Sequence, residues 1–298
     1  MKVLIIGGSR YFGRRLVQLM HTAGDQVTVL NRGSSAPPEG VRHLVADRDD
    51  GAALGAALAG REFDVVVDQV CYTPRQAETT RRAVVGRVGR YVLTSTVEVY
   101  FPLVGGFPLV GDDGGEAPLR EELRDPAAWP IHMDVGTWDY GEGKRQAEAV
   151  FSRESELDFV SVRCAHVLGG GTADFTGRLA HYVSRIRGGE PVAVHPRPAP
   201  ASFIRDVEVA EVLSWAAGAT VTGPVNAASA GAWDVIALCE AIGERLGRTP
   251  RYRAVTEDIT SPFSFSSSRP MDTSRAARHG FDFSSMAQWL PDVIDEAA

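Results

Sequence analysis

The chain has 298 residues, 44% hydrophobic and 23% charged, the make-up of an ordinary soluble globular protein with room for one large domain, or for a large one with a smaller companion. A formal net charge of −7, with arginines scattered among acids, excludes a phosphate-backbone binder as the default, so nucleic acid is not an expected partner. Cys71, Cys164 and Cys239 are far apart and form no Cys-x-x-Cys pair, so neither a metal site nor a disulfide framework is expected and a reducing cytoplasm fits.

At the N-terminus Met1-Lys2-Val3 runs straight into an apolar strand, Val3–Ile6, with no signal-peptide layout, and no later stretch approaches membrane-spanning length. Gly7-Gly8-Ser9-Arg10-Tyr11-Phe12-Gly13 follows and opens a helical stretch, Phe12–Thr22. Strand, glycine turn and helix can hold a dinucleotide pyrophosphate: glycines let the backbone approach it, and the helix N-terminus offers free amides and a favourable dipole. Alone this is a weak signal, common to tight turns, and in Gly7, Arg10, Gly13 the middle position carries Arg. The second strand, Val27–Leu30, ends in Asn31-Arg32-Gly33. An acidic residue here accepts from ribose hydroxyls in NAD binders. Neutral Asn31 removes that repulsion to a 2′-phosphate, and Arg10 and Arg32 offer guanidinium partners, so NADP(H) is the expected cofactor and NAD(H) the alternative. In the competing reading Arg32 stacks on adenine or faces solvent. Asp47, after the third strand, could hold the adenine amino group, or cap a helix among Asp49 and Asp50. Helix Ala52–Ala59 and strand Val65–Val67 lead to Gln69 and Val70, expected beneath the cofactor ribose.

Helix Arg75–Val85 precedes a fifth strand that runs through Tyr91–Leu93 into Thr94-Ser95-Thr96-Val97-Glu98-Val99-Tyr100. Tyr140 and Lys144, in Tyr140-Gly141-Glu142-Gly143-Lys144, lie one turn apart on a helix face. A tyrosine loses its proton near about pH 10, and a nearby ammonium favours phenolate and lowers that value. Such a phenol can exchange a proton with a substrate oxygen while hydride moves at the adjacent carbon, and a hydroxyl from the fifth strand can steady the alkoxide. Gly141 and Gly143 are poor helix formers that suit a close backbone approach. The strand Phe159–Val162 completes an alternation of apolar strands and helices that predicts an α/β, doubly wound parallel sheet with its ligands at the strand carboxyl ends. Beyond Arg163 the pattern loosens into Gly169-Gly170-Gly171, a proline-rich connector His195–Pro200, a helix Trp233–Leu246, a polar loop Ser264–Ser268 and a short amphipathic helix ending at Ala298. Residues 1–165 with about 201–228 are expected to form the nucleotide-binding domain, and 166–200 and 229–298 a smaller, discontinuous C-terminal substrate lobe.

Taken together, these segments resemble an extended short-chain dehydrogenase/reductase of the NAD-dependent epimerase/dehydratase family. The resemblance runs on through Arg145 and Glu148, Val162–Gly169, Phe203–Ala210, Gly223-Pro224-Val225-Asn226 and Met271–Arg275 with Gly280-Phe281. It implies a Rossmann-like domain, Tyr140 as acid/base, Lys144 on the nicotinamide ribose, Thr96 as the catalytic hydroxyl, and Tyr11 and Phe12 amides at the pyrophosphate. It also implies an oxidoreductase or epimerase acting on a secondary alcohol or ketone of a sugar nucleotide or cyclic secondary metabolite, and a homodimer through the helices near Arg75–Val85 and Tyr140–Arg153. Thr96-Val97-Glu98 matches an arrangement that supplies a carboxylate near the substrate in dehydratases and decarboxylases of the family. Val97 stands where the 4,6-dehydratases carry their acid, so Glu98 is either a base for elimination or a structural residue. His166 falls where relatives often carry a substrate-touching Asn; its imidazole could bind substrate or shuttle protons, or be a buried, satisfied histidine. His132 is a weaker candidate. Arg205 could meet a substrate phosphate or pair with Asp206 or Glu208. Arg10 in place of Gly resembles an atypical branch with chloroplast stem-loop-binding, RNA-associated members, which often lack a complete catalytic pair. Tyr140 and Lys144 are both present here, which favours an enzyme over a cofactor-sensing or RNA-binding protein.

Overall fold

The computed structural model describes residues 1–102, 117–134, 139–255 and 261–298. Apolar β-branched runs form strands wherever both faces are covered. β1 (Lys2–Ile6) leads into α1 (Tyr11–Thr22), followed by β2 (Gln26–Asn31), β3 (Arg42–Val45), α2 (Gly51–Leu58), β4 (Phe63–Asp68), α3 (Pro74–Val84) and β5 (Val88–Thr96). Side chains set the helix starts: Asp50 accepts from the Ala52 and Ala53 amides, and Thr73 caps α3 ahead of Pro74 at its first turn. Next come α4 (Tyr140–Ser152), capped by Asp139, and β6 (Asp158–Cys164). The strands form a seven-stranded sheet in the order β10-β6-β5-β4-β1-β2-β3, where β10 is Gly223–Ala227, and every pairing in it is parallel. The order reverses between β1 and β4, and a crevice opens at their carboxyl ends.

The second half builds on a smaller frame. β7 (His166–Leu168), α5 (Arg178–Gly188), β8 (Val192–Val194), β9 (Ala201–Arg205) and α6 (Asp206–Gly218) precede β10. β11 (Ala232–Trp233), α7 (Val235–Leu246), β12 (Tyr252–Ala254), α8 (Ser274–Arg278) and α9 (Met286–Ala297) follow it. β7, β9 and β11 make a three-stranded sheet, and β8 pairs with β12. β9 pairs in this smaller sheet, and the helix that follows it, α6, packs against α1 and the large sheet. β9 is the seam: Ile204 belongs to the core under the large sheet, while Ala201 and Phe203 belong to the core between α5, α7 and α9. Alternation along a strand produces this split, because successive side chains point to opposite faces.

α4 is buried along nearly its whole length by the chain itself. Besides α3 and the sheet, residues 127–133 lie across it. Trp129 donates to Glu142 (3.1 Å) and lies under the Arg145 guanidinium, the His132 amide donates to Gln146 (2.6 Å), and Ile131 and Met133 pack on the cluster that holds Ala147, Val150 and Phe151. His132, the weaker catalytic candidate, is thus part of a covering segment.

Candidate active site

The crevice beyond β1 is a cleft of about 500 Å³. Gly7 and Gly8 turn the chain with φ of +95° and +77°, values an L side chain rarely adopts. A Cβ on Gly13 would stand 2.2 Å from Gln69 Oε1 and 2.9 Å from the Gly8 Cα, so α1 starts in contact with the turn. Tyr11, its first residue, holds φ of +51°, and its buried ring lies against Phe12 and Phe175. Gln69 donates its backbone N–H to the Ile6 carbonyl, and its buried Nε2 has no partner among the described residues. These features fit a dinucleotide: a cradle that any Cβ would fill, free helix amides, and an unspent donor on the ribose side.

The expected cofactor residues divide. Arg10 and Arg32 are exposed on the cleft wall, beside Ser34 and Ser35, and neither has an ion-pair partner among the described residues. Asn31 is scaffold as much as wall: its amide donates to Ser9 Oγ (2.7 Å) and the Ser35 carbonyl (3.0 Å), and its oxygen accepts from the Gly33 amide and meets His43. Asp47 lines the cleft and accepts from the Asp49 amide, while the helix cap is Asp50.

At the other end of the cleft α4 presents Tyr140. Its first turn sits directly on the turn after β5: a Cβ on Gly141 would lie 2.5 Å from the Glu98 carbonyl oxygen, which accounts for that glycine. Tyr140 is half exposed, and its ring lies 6.3 Å from that of Tyr72, which lines the cleft. Burial pushes the phenol up to about 12; a hydrogen bond with Thr96 opposes this, and Tyr72 adds to it. This corrects the expectation that Lys144 lowers the phenol's pKa. The buried Lys144 ammonium donates to the Thr94 carbonyl (2.7 Å) and lies 4.7 Å over the Tyr72 ring. Burial also pulls the Lys144 pKa down. Thr96 is buried at the end of β5 and accepts from the Glu98 amide (3.3 Å).

On the substrate side Glu98 is not free. Both its oxygens accept from Arg269 Nη1 (3.0 and 3.1 Å), and that guanidinium lies over Phe101 (3.8 Å) and Phe265 (4.4 Å). His166 is buried among Phe203, Phe263 and Phe265, and its Nε2 has no hydrogen-bond partner among the described residues. Burial, with Arg178 and Arg269, holds its pKa well below the usual range. The neutral ring is thereby favoured, which suits a hydrogen-bonding role better than a proton shuttle. Arg205 turns away to α9, with Nη2 3.4 Å from Glu296 and Nη1 3.9 Å from Asp292. The expected partners are engaged elsewhere: Asp206 with Arg15, and Glu208 with Ser229 and the Ser284 amide.

Beneath the site a buried Arg163–Glu148 pair (2.6 Å) also engages Ser95 and Tyr100, and Tyr100 donates to Asn226 (2.7 Å). Residue reasoning missed Tyr72 and Arg269. The first follows β4 with no marker of its role. The second arrives from 171 positions beyond Glu98, a separation no local motif spans.

Residues 3–217 match the sequence model of the NAD dependent epimerase/dehydratase family. Over 104 residues the chain is 35% identical to a 2′-dehydrokanamycin reductase of Streptomyces kanamyceticus, a match that spans 34% of this chain and 29% of that protein. Over 114 residues it is 30% identical to the chloroplast stem-loop binding protein of 41 kDa b of Arabidopsis thaliana, spanning 33% and 30%. The structure is similar to that of a Thermus thermophilus UDP-glucose 4-epimerase in complex with NAD, with a TM-score of 0.70, 18% identity, and coverage of 100% of this chain and 99% of that one. At that identity the likeness is one of fold.

Proposed function

This chain belongs to the NAD dependent epimerase/dehydratase family and is an enzyme of that type, and we propose that it reduces the ketone of a sugar-like ring with NADPH, Tyr140 giving the proton. The observation that carries this reading is the placement of the Tyr140 phenol, hydrogen-bonded to Thr96 and one helical turn from Lys144 on α4. A phenol raised by burial keeps its proton at neutral pH, as reduction requires.

A bound nicotinamide supplies the hydride. The Gly7–Gly8 turn, Gly13 and the Tyr11 and Phe12 amides would hold its pyrophosphate, Gln69 and Lys144 the riboses, Asp47 the adenine, and Arg10 and Arg32 the 2′-phosphate. Thr96 orients the carbonyl oxygen together with Tyr140. As the carbonyl carbon gains hydride, Tyr140 Oη passes its proton to that oxygen, giving the secondary alcohol. The phenolate regains a proton through the open side of the cleft. His166 Nε2 is available for a substrate hydroxyl. Glu98, held by Arg269, is a poor candidate for the base of an elimination, and Arg205 is engaged with α9.

The substrate class rests on the relative named 2′-dehydrokanamycin reductase, of which only 29% is matched. The test is NADPH oxidation against a panel of keto-sugar nucleotides and keto-aminocyclitols. Tyr140→Phe should lower turnover about 10²–10⁴-fold with NADPH binding held within about twofold. Undiminished turnover in that variant would remove the reading.

A further inference from the structure

Lys144 is fully enclosed, yet it has no carboxylate within ion-pair distance among the described residues. An ammonium carries three donors. One goes to the Thr94 carbonyl (2.7 Å), and one side of the charge is covered by the face of Tyr72, whose ring centroid lies 4.7 Å from Nζ. The same ring stands 6.3 Å from that of Tyr140, is 44% exposed, and lines the dinucleotide cleft. Tyr72 is itself held: its amide donates to the Gln76 side chain (2.8 Å) from the first turn of α3.

We propose that Tyr72 is a positioning residue of the redox site, its ring face holding the Lys144 ammonium charged and in register with Tyr140 while leaving one N–H for the ribose side. Its functional meaning rests on the reductase reading above; the contact itself does not. The other groups that act on the ammonium come from several elements: Asp68 at the end of β4 and Cys71 just beyond it, Arg48 beyond β3 and Cys164 at the end of β6. Asp68 favours the charged form from a distance while hydrogen-bonded to Arg48 and Tyr91, and the Tyr72 ring is the face that lies directly against the ammonium. An aromatic face over a desolvated cation stabilises the charged form, and a tenfold change in that balance moves the titration by one pH unit.

Lys2 and Lys144 are the chain's two lysines, so protein labelled with ¹³C at the lysine ε-carbon gives one surface and one buried resonance to titrate. Tyr72→Leu should lower the Lys144 midpoint by about one unit and weaken NADPH binding, read by fluorescence titration, about tenfold. Its alkaline limb of kcat/KM should move down with the midpoint. Tyr72→Phe, which keeps the face and drops the hydroxyl, should restore all three. An unmoved Lys144 midpoint in Tyr72→Leu, or a Phe variant as impaired as the Leu variant, overturns the proposal. If Tyr72→Leu fails to fold, judged by the Lys2 resonance and thermal melting, Tyr72→Met is read by the same outcomes. The lysine titration needs neither substrate nor cofactor, so its failure is separable from that of the Tyr140→Phe test.

Discussion

Arg32 and Asn31 are neighbours at the end of β2 with different duties. Asn31 is saturated by Ser9, Ser35, Gly33 and His43 and shapes the turn, whereas Arg32 is exposed on the cleft wall near Arg10. In the proposed NADPH complex the charge-assisted contact to the 2′-phosphate would fall to the arginines, each worth about 1.5–3 kcal/mol. Arg32→Asp should weaken NADPH binding about 10–100-fold and improve the ratio toward NADH, measured as the two dissociation constants side by side. Unchanged relative affinities would sink the NADP preference. The hydroxyl end of Tyr140 shows the opposite case, a side chain whose state comes from enclosure rather than from its sequence neighbour.

Between elements the strongest tie near the cleft is buried and ionic. Asp68 at the end of β4 accepts from Arg48 (2.7 Å), Tyr91 on β5 (2.5 Å) and the Val70 amide (3.0 Å), and Arg48 also donates to Thr80 on α3 (2.6 Å). One carboxylate thus locks β4, β5, α3 and the segment after β3 around the cleft floor. Burial pushes the Asp68 pKa up, but Arg48 and the hydrogen bonds outweigh it and the net shift is downward. A carboxyl held below its unfolded value contributes stability above about pH 4, lost as pH falls through the folded value. Asp68→Asn leaves Arg48 buried without its counter-ion and should cost about 3–5 kcal/mol in urea unfolding at neutral pH. The gap to wild type should narrow on acidification; a gap that stays constant, or a cost under about 1 kcal/mol, would show the pair to be dispensable.

Across the whole molecule two contacts depend on distant parts of the chain. The Arg269–Glu98 pair joins the smaller lobe to the turn after β5, directly beside the Tyr140 helix. Residues 127–133 cover α4, the helix through which the family resemblance implies dimerisation. A helix already buried along its length has no apolar stripe left to give a partner, and stable interfaces bury about 800 Å² on each side. We expect light scattering after gel filtration to give the mass of one chain at micromolar concentration. A dimer whose hydrogen exchange is protected along α3 and α4 would contradict that expectation.

What was legible in the chain was short-range: strand and helix alternation, the glycine turn from Gly7 to Gly13, the hydroxyl at Thr96, and the one-turn spacing of Tyr140 and Lys144. Steric demands and helical periodicity act over a few residues, so they survive in a linear reading. Proton states and partners were decided only by the tertiary structure. Tyr140 is raised by burial, the neutral His166 ring is favoured in an aromatic box, Glu98 is held by Arg269, Arg205 turns to α9, and Lys144 rests under Tyr72. Desolvation and Coulomb interactions depend on distance in space, and each of these neighbours is brought in by packing that no local spacing encodes.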